Sequence, residues 1–261
     1  MRPLAELDRE EARGITGLFF DLDDTVLTHG VLTRAAFGAI WDLSEAGFRL
    51  VAVTGRPSGW AEVLVRQWPI DGAVTENGAV FVVREGEGVR VIEDGAAEAV
   101  AERRARLDAL VGDVARAMPE LALADDVRGR RSDVAWDVGE RVKLPEAQIA
   151  ELGRLVVSAG ARTTRSTVHV HASFERDDKA SGALRFVHER FGEDPGSAIF
   201  RWAFVGDSPN DAACFAAIRT TFGVANVRRF VSRMSVPPRW IASAERGEGF
   251  AEVARALLAA R

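Results

Sequence analysis

The chain has 261 residues and a mass of 28.3 kDa, with 47% hydrophobic and 28% charged residues, the usage of a folded globular protein built as one large domain or two modest ones. Disorder, a collagen repeat and a disulfide scaffold are excluded, and the single cysteine, Cys214, cannot close an internal disulfide. A net charge of -5 and a pI near 5.5 argue against a polyanionic partner. No apolar run approaches the roughly 20 residues of a membrane helix. The N-terminal MRPLAELDREEARG carries no apolar signal core. The expectation is a cytoplasmic protein that binds neither nucleic acid nor membrane; oligomeric state is unreadable.

Gly17-Leu18-Phe19-Phe20 is a short apolar run that ends abruptly in Asp21-Leu22-Asp23-Asp24-Thr25, and it predicts a buried strand delivering acids at its C-terminal end. Thr33 to Ala46 has helical spacing and is stopped by Gly47. Phe48 to Val53 predicts a second buried strand, closed by Thr54-Gly55-Arg56-Pro57. A helix over Ser58 to Gln67 then leads through Ile70 to Val74 into Glu76-Asn77-Gly78-Ala79. Strand alternating with helix predicts a parallel sheet with right-handed crossovers.

From about Glu85 to Arg176 the rhythm changes. A charged helix over Ala96 to Met118 precedes two alternating strands, Ser132 to Val138 and Thr167 to Ala172, with a helix over Pro145 to Ala159 between them. Alternation implies half-exposed, antiparallel strands in a small α+β unit. After Asp178 the first pattern returns, with a helix over Lys179 to Arg190 and a buried strand over Trp202 to Val205. That strand ends in Gly206-Asp207-Ser208-Pro209-Asn210-Asp211 and is followed by a helix through Ala217. Strands over Thr221 to Ala225 and Trp240 to Ala242 and a helix over Gly249 to Leu258 complete the chain. The fold class is therefore α/β: a Rossmann-like parallel-sheet core over residues 1–84 and 177–261, interrupted by an α+β insert over residues 85–176.

Ligands of an open parallel sheet sit at the C-terminal ends of its strands. Here those ends carry Asp21/Asp23/Asp24, Thr54/Arg56, Glu76/Asn77 and Asp207/Asn210/Asp211, so neighbouring strands would bring four or five carboxylates to one crevice. Two carboxylates about 4 Å apart repel by roughly 4 kcal/mol at an effective dielectric near 20, so such a cluster persists only with protons or a cation. Oxygen-only donors select Mg²⁺ rather than zinc. Basic residues are nearly all arginine; the only lysines are Lys143 and Lys179, which draws attention to positions where a compact ammonium is required.

In their order, Asp-Leu-Asp-Asp-Thr after a buried strand, Val-Thr-Gly-Arg-Pro after the second, a lysine beginning a later helix and Gly-Asp-Ser-Pro-Asn-Asp after another strand resemble the motifs of the haloacid dehalogenase (HAD) superfamily. The insert resembles the large α+β cap of its Cof-like, sugar-phosphate-phosphatase branch (class IIB), as do Asn77-Gly78-Ala79 and Gly247-Glu248-Gly249-Phe250-Ala251. The resemblance implies a Mg²⁺-dependent phosphomonoester phosphatase acting on a small phosphorylated metabolite, a sugar phosphate above all. Asp21 would be the nucleophile and Asp23 the general acid and base. Thr54 and Lys179 would contact the phosphoryl group. Asp207 would join Asp21 and the backbone carbonyl of Asp23 at the metal, with Asp211 supporting through water. Asp24 stands where many relatives carry glycine.

Other candidates are less constrained. Asn210 can contact phosphate or only turn its loop, Arg56 can bind substrate or pair with a core carboxylate, and Asn77 joins the substrate-binding candidates through the motif it begins. Thr167, His169, His171 and Ser173 share one face of the predicted strand, opposite Val168, Val170 and Ala172, which makes His169 and His171 candidate substrate contacts. Without a third ligand they make no convincing zinc site. The loop around Arg128 to Ser132 is the next candidate. The alternatives are a phosphomannomutase-like phosphotransferase, which would have to hold its phosphoryl-enzyme against water, and a non-catalytic binding protein on the same fold, which would be expected to have lost the acids that are present here.

Overall fold

The computed structural model describes residues 1–166 and 168–261; the predicted strand's Thr167 lies outside the described residues. Its strands are β1 (Arg2–Pro3), β2 (Gly17–Phe20), β3 (Leu27–Thr28), β4 (Val31–Leu32), β5 (Arg49–Val53), β6 (Gly72–Thr75), β7 (Val80–Glu85), β8 (Gly88–Glu93), β9 (Asp133–Asp137), β10 (Arg162–Arg165), β11 (His169–Ser173), β12 (Trp202–Gly206), β13 (Thr220–Gly223) and β14 (Trp240–Ile241). Its α-helices are α1 (Arg9–Arg13), α2 (Arg34–Glu45), α3 (Ser58–Gln67), α4 (Ala97–Ala117), α5 (Glu146–Ser158), α6 (Lys179–Phe191), α7 (Pro195–Arg201), α8 (Ala212–Ala217) and α9 (Arg246–Leu258).

Nine strands form one sheet in the order β1-β14-β13-β12-β2-β5-β6-β7-β8, parallel from β1 through β6 and antiparallel at the β6–β7–β8 edge. The central strands read as continuous apolar runs because both faces are covered. Leu18, Phe20, Leu50 and Ala52 pack toward α2, α3 and α9, while Phe19, Val51 and Val53 pack toward α6, α7 and α8. Phe19 stacks on Trp202 with centroids 4.4 Å apart, fixing β2 beside β12.

A second, three-stranded antiparallel sheet, β10-β11-β9, is backed by α4 and α5 over its own core of Leu107, Leu110, Val134, Trp136, Leu152 and Val170. The residue rhythm that assigns everything after Glu85 to the insert misplaces Gly88–Glu93. As β8 these residues pair antiparallel with β7 at the edge of the large sheet, where Val89 and Val91 pack on one core face and Ile92 on the other. An edge strand is only half covered, so its pattern resembles that of the antiparallel insert. Among the described residues no helix is long and apolar enough to cross a membrane.

Candidate active site

The site begins with the register of β2 and β12. Asp21 N–H donates to the Val205 carbonyl at 2.9 Å, continuing the ladder one residue beyond β2, and Asp207 follows directly after β12. Two acids from distant parts of the chain thereby stand side by side at the sheet's C-terminal edge. Lys179 comes from the first turn of α6, whose start is fixed by a reciprocal capping box between Asp178 and Ser181. Gly78, at φ +113°, packs so tightly against the Asp178 backbone that any side chain there would displace the helix start.

Lys179, 2% exposed, donates from Nζ to Asp21 Oδ1 at 2.7 Å and to Asp211 Oδ1 at 2.8 Å. Asp211 is held from the other side by the N–H groups of Asp207 and Ser208, which donate to its Oδ2 at 2.9 and 3.1 Å. That approach requires glycine at 206, since a Cβ would lie 2.5 Å from the Asp211 carboxylate. Asn226 donates to Asp207 Oδ2 at 2.8 Å, and Thr25 lies 3.4 Å from both Asp21 and Asp207.

One oxygen each of Asp21, Asp207 and Asp211 lies within 4.8 Å of the others, and all three residues are buried. Burial, then the charges of Asp211 and Asp23, push the Asp21 carboxyl up to about 7 against the pull of Lys179. Asp207 is raised well above the ordinary carboxyl range by burial and by Asp211 and Asp21. Lys179 is held firmly protonated: burial works against its charge, but Asp21 and Asp211 more than offset it. Three acids facing one ammonium leave a shortfall of positive charge, and their donors are all hard oxygens, so the cluster fits a divalent cation. Asp211 accepts from Lys179 and from two backbone N–H groups, whereas Asp21 and Asp207 also line the neighbouring cavity, so all three acids are candidates to hold the cation.

After Asp21 the chain turns within Leu22–Val26, with Asp23 extended at φ -69° and Asp24 left-handed at φ 56°. A glycine is at ease in that conformation, which accounts for the residue many relatives of this motif carry. Here Asp24 is held instead by Arg246 at 2.7 Å and by Asn226 on its carbonyl at 3.0 Å. The turn brings Asp21 and Asp23 to the same cavity, of about 290 Å³, together with Asp24, His29, Arg56, Arg130, Glu140, His169, His171, Asp207, Ser208 and Asn210. Arg56 pairs with the core carboxylate: its Nε and one terminal nitrogen donate to Asp23 at 2.8 and 2.9 Å, and its guanidinium lies 4.5 Å over Trp60. Thr54 is buried and accepts the Arg56 N–H at 3.0 Å.

Of the strand-end candidates, Thr54, Glu76, Asn77 and Asp211 do not line this cavity. Glu76 does not join the acids. Its buried carboxylate accepts from the N–H groups of Ser58, Arg131, Ser132 and Asp133, tying the end of β6 to the loop before β9. Asn77, in a left-handed turn at φ 57°, lines a smaller cleft of about 50 Å³ on the far side of Lys179, shared with His171 and Asn210. The strand-face reading holds within β11, where His169 and His171 line the main cavity while Val170 and Ala172 pack into the core beneath, but Val168, which precedes the strand, lines the cavity with the histidines instead of opposing them.

Arg130, Glu140 and Asn226 are cavity or support residues that the sequence does not single out. The run Arg128 to Ser132 points to Arg130 by charge alone. Its fully enclosed guanidinium joins Asp126, Asp133 and the Gly55 carbonyl, the last at 3.0 Å. Glu140 sits in a loop and Asn226 in a 3-10 helix over Ala225–Arg233, neither with a distinguishing pattern, and only the fold reveals them.

The family model for haloacid dehalogenase-like hydrolases matches residues 18–101. No curated protein matches the chain. Among solved structures, a Thermoplasma acidophilum protein is 15% identical with a TM-score of 0.71, covering 94% of this chain and 98% of that one. A HAD-superfamily phosphatase from Bacteroides thetaiotaomicron is 18% identical with a TM-score of 0.65, covering 93% and 95%. The sucrose-phosphatase of Synechocystis, solved with sucrose and phosphate, is 16% identical with a TM-score of 0.66, covering 92% and 97%. The match to the family model is confined to residues 18–101, and over nearly its whole length the chain shares the fold of these solved structures.

Proposed function

We propose that the protein is a Mg²⁺-dependent phosphatase of small phosphorylated metabolites, sugar phosphates in particular, working through an aspartyl-phosphate on Asp21. The observation that carries this reading is the buried Lys179 bridging Asp21 and Asp211 beside Asp207, with Asp21, Asp23 and Asp207 lining one cavity. The match to haloacid dehalogenase-like hydrolases and the resemblance in fold to phosphatases support it.

Bound at Asp21 and Asp207, with Asp211 behind them, Mg²⁺ supplies positive charge to the acids and the phosphoryl oxygens. Asp21 attacks phosphorus, forming the acyl phosphate and breaking the bond to the ester oxygen. Asp23, protonated at that stage, gives its proton to the departing alkoxide. As a carboxylate it then takes a proton from the water that attacks the phosphoryl group, releasing inorganic phosphate and restoring Asp21. Lys179 fixes the Asp21 carboxylate and offsets the charge gathering at the phosphoryl group. The Thr54 hydroxyl, buried at the end of β5, would donate to the phosphoryl oxygens. Arg56 holds the Asp23 carboxylate in a two-point grip, and the three-stranded sheet closes the cavity as a cap that presents His169 and His171 to the alcohol part of the substrate.

Purified protein assayed with Mg²⁺ against a panel of phosphorylated metabolites should release phosphate from a small subset, and Asp21→Asn should abolish release while the fold is retained. Full activity after thorough chelation, or in Asp21→Asn once deamidation is excluded, contradicts the reading.

A further inference from the structure

The outer wall of the cavity is built by the three-stranded sheet and its loops, through Arg130, Glu140, Ser166, Val168, His169 and His171. Most of the charge in this wall is already committed. Arg130 is surrounded by Asp126 and Asp133, and Arg56 by Asp23 and Asp126. His171 Nδ1 lies 2.9 Å from Asp133, which can only accept, and 3.4 Å from an Arg130 nitrogen, which can only donate; the shorter contact places the proton on Nδ1 and leaves Nε2 as an acceptor. Burial, and behind it Arg130, favours the neutral ring.

Glu140 differs from these groups. It sits on a turn in which the Asp137 carboxylate accepts the N–H groups of Gly139, Glu140 and Arg141 at 2.8–3.0 Å, so its place is set by the backbone. It meets His169 Nε2 at 2.8 Å, remains 43% exposed, and among the described residues makes no ion pair with arginine or lysine. The two guanidiniums that line the cavity, those of Arg56 and Arg130, are therefore already paired with Asp23, Asp126 and Asp133, and Glu140 adds a carboxylate to the wall. Glu140 Oε1 and His171 Nε2, which take no donor among the described residues, are acceptors.

We propose that Glu140 sets the charge class of the substrate: the cavity takes a phosphomonoester whose alcohol part is uncharged and rich in hydroxyl donors, and turns away one that carries a second phosphate or carboxylate. The inference rests on the phosphatase reading and adds to it a residue that selects by charge. A hydroxyl can donate to Glu140 or to His171 Nε2, whereas a second anion finds the guanidiniums lining the cavity already paired and meets a carboxylate across a partly desolvated gap.

The test compares kcat/KM for a hexose monophosphate and for the corresponding hexose bisphosphate, with Mg²⁺, in three proteins. Wild type should prefer the monophosphate. Glu140→Gln, which keeps size and removes charge, should raise the bisphosphate-to-monophosphate ratio by about tenfold, and Glu140→Asp, which keeps the charge, should stay near the wild-type ratio. A wild type that prefers the bisphosphate, or a Glu140→Gln ratio within about twofold of wild type, overturns the proposal. Wild-type hydrolysis of an aryl phosphate separates the two failures. If it proceeds while the ratio stays fixed, only the role of Glu140 falls; if neither aryl phosphate nor any sugar phosphate is hydrolysed, the phosphatase reading falls and takes the Glu140 proposal with it.

Discussion

At the scale of single residues, the site is a problem of charge. Asp21 and Asp207 are buried beside Asp211 with one ammonium between them, and the raised position of Asp21, to about 7, records the cost of ionising it there. In the unfolded chain the same group loses its proton near its ordinary value of 3.8, so between these limits the folded state binds more protons and its stability falls as pH rises. Metal-free protein is therefore expected to lose thermal stability from pH 5 toward pH 8. Added Mg²⁺ should raise Tm more at the higher pH, where it no longer competes with protons. Calorimetry at both values checks this; an equal or larger Mg²⁺ effect at pH 5 contradicts it. Lys179→Met removes the only buried cation of the cluster. Its cost should reach about 3–5 kcal/mol at pH 8 and shrink toward pH 5, where the acids can protonate, as measured by denaturant unfolding. The acids and the lysine were legible because each ends a strand or begins a helix within an ordered set of motifs. Asn226 was not: its amide reaches Asp207 from the start of the 3-10 helix Ala225–Arg233 after β13, which no sequence motif marks as part of the site.

At the scale of elements, apolar runs located β2, β5 and β12, and helical spacing located α2, α3, α5 and α6, each within a few residues of its ends. The misses have physical causes. β8 alternates like a strand of the insert because it lies on a sheet edge. α7 spans only seven residues, and its opening Asp194-Pro195 also serves as a turn signal. β10, Arg162–Arg165, is polar throughout and is defined only by its pairing with β11. Glu76 was expected among the acids because it ends β6. A left-handed backbone at φ 51° turns it instead toward the loop at 131–133, where burial raises its pKa and backbone donors partly restore it. This anchor gives a test at the same scale. Glu76→Ala leaves several buried N–H groups without an acceptor and should cost about 3 kcal/mol in urea unfolding. Glu76→Gln should also destabilise, since its amide N–H₂ faces N–H donors; a neutral outcome for both would mean the loop is held by other contacts.

At the scale of the whole molecule, two structures with separate cores enclose one polar cavity: the large sheet supplies the acids and Lys179, and the three-stranded sheet supplies the histidines, Arg130 and Glu140. On the proposed reading, phosphoryl chemistry belongs to one side and recognition of the alcohol to the other. Replacing His169 and His171 together with alanine should therefore lower kcat/KM for the best sugar phosphate far more than for a small aryl phosphate; equal losses would place the histidines' role in folding or in the phosphoryl step. The most direct test of the central claim follows the phosphoryl group itself. Asp23→Asn, mixed with an aryl phosphate and Mg²⁺ and quenched in acid, should hold one phosphoryl mass on the peptide carrying Asp21, because an aryl leaving group needs no proton while hydrolysis of the acyl phosphate needs the missing base. Aryl phosphate turnover with no trapped adduct, or an adduct on a different residue, would contradict covalent catalysis by Asp21.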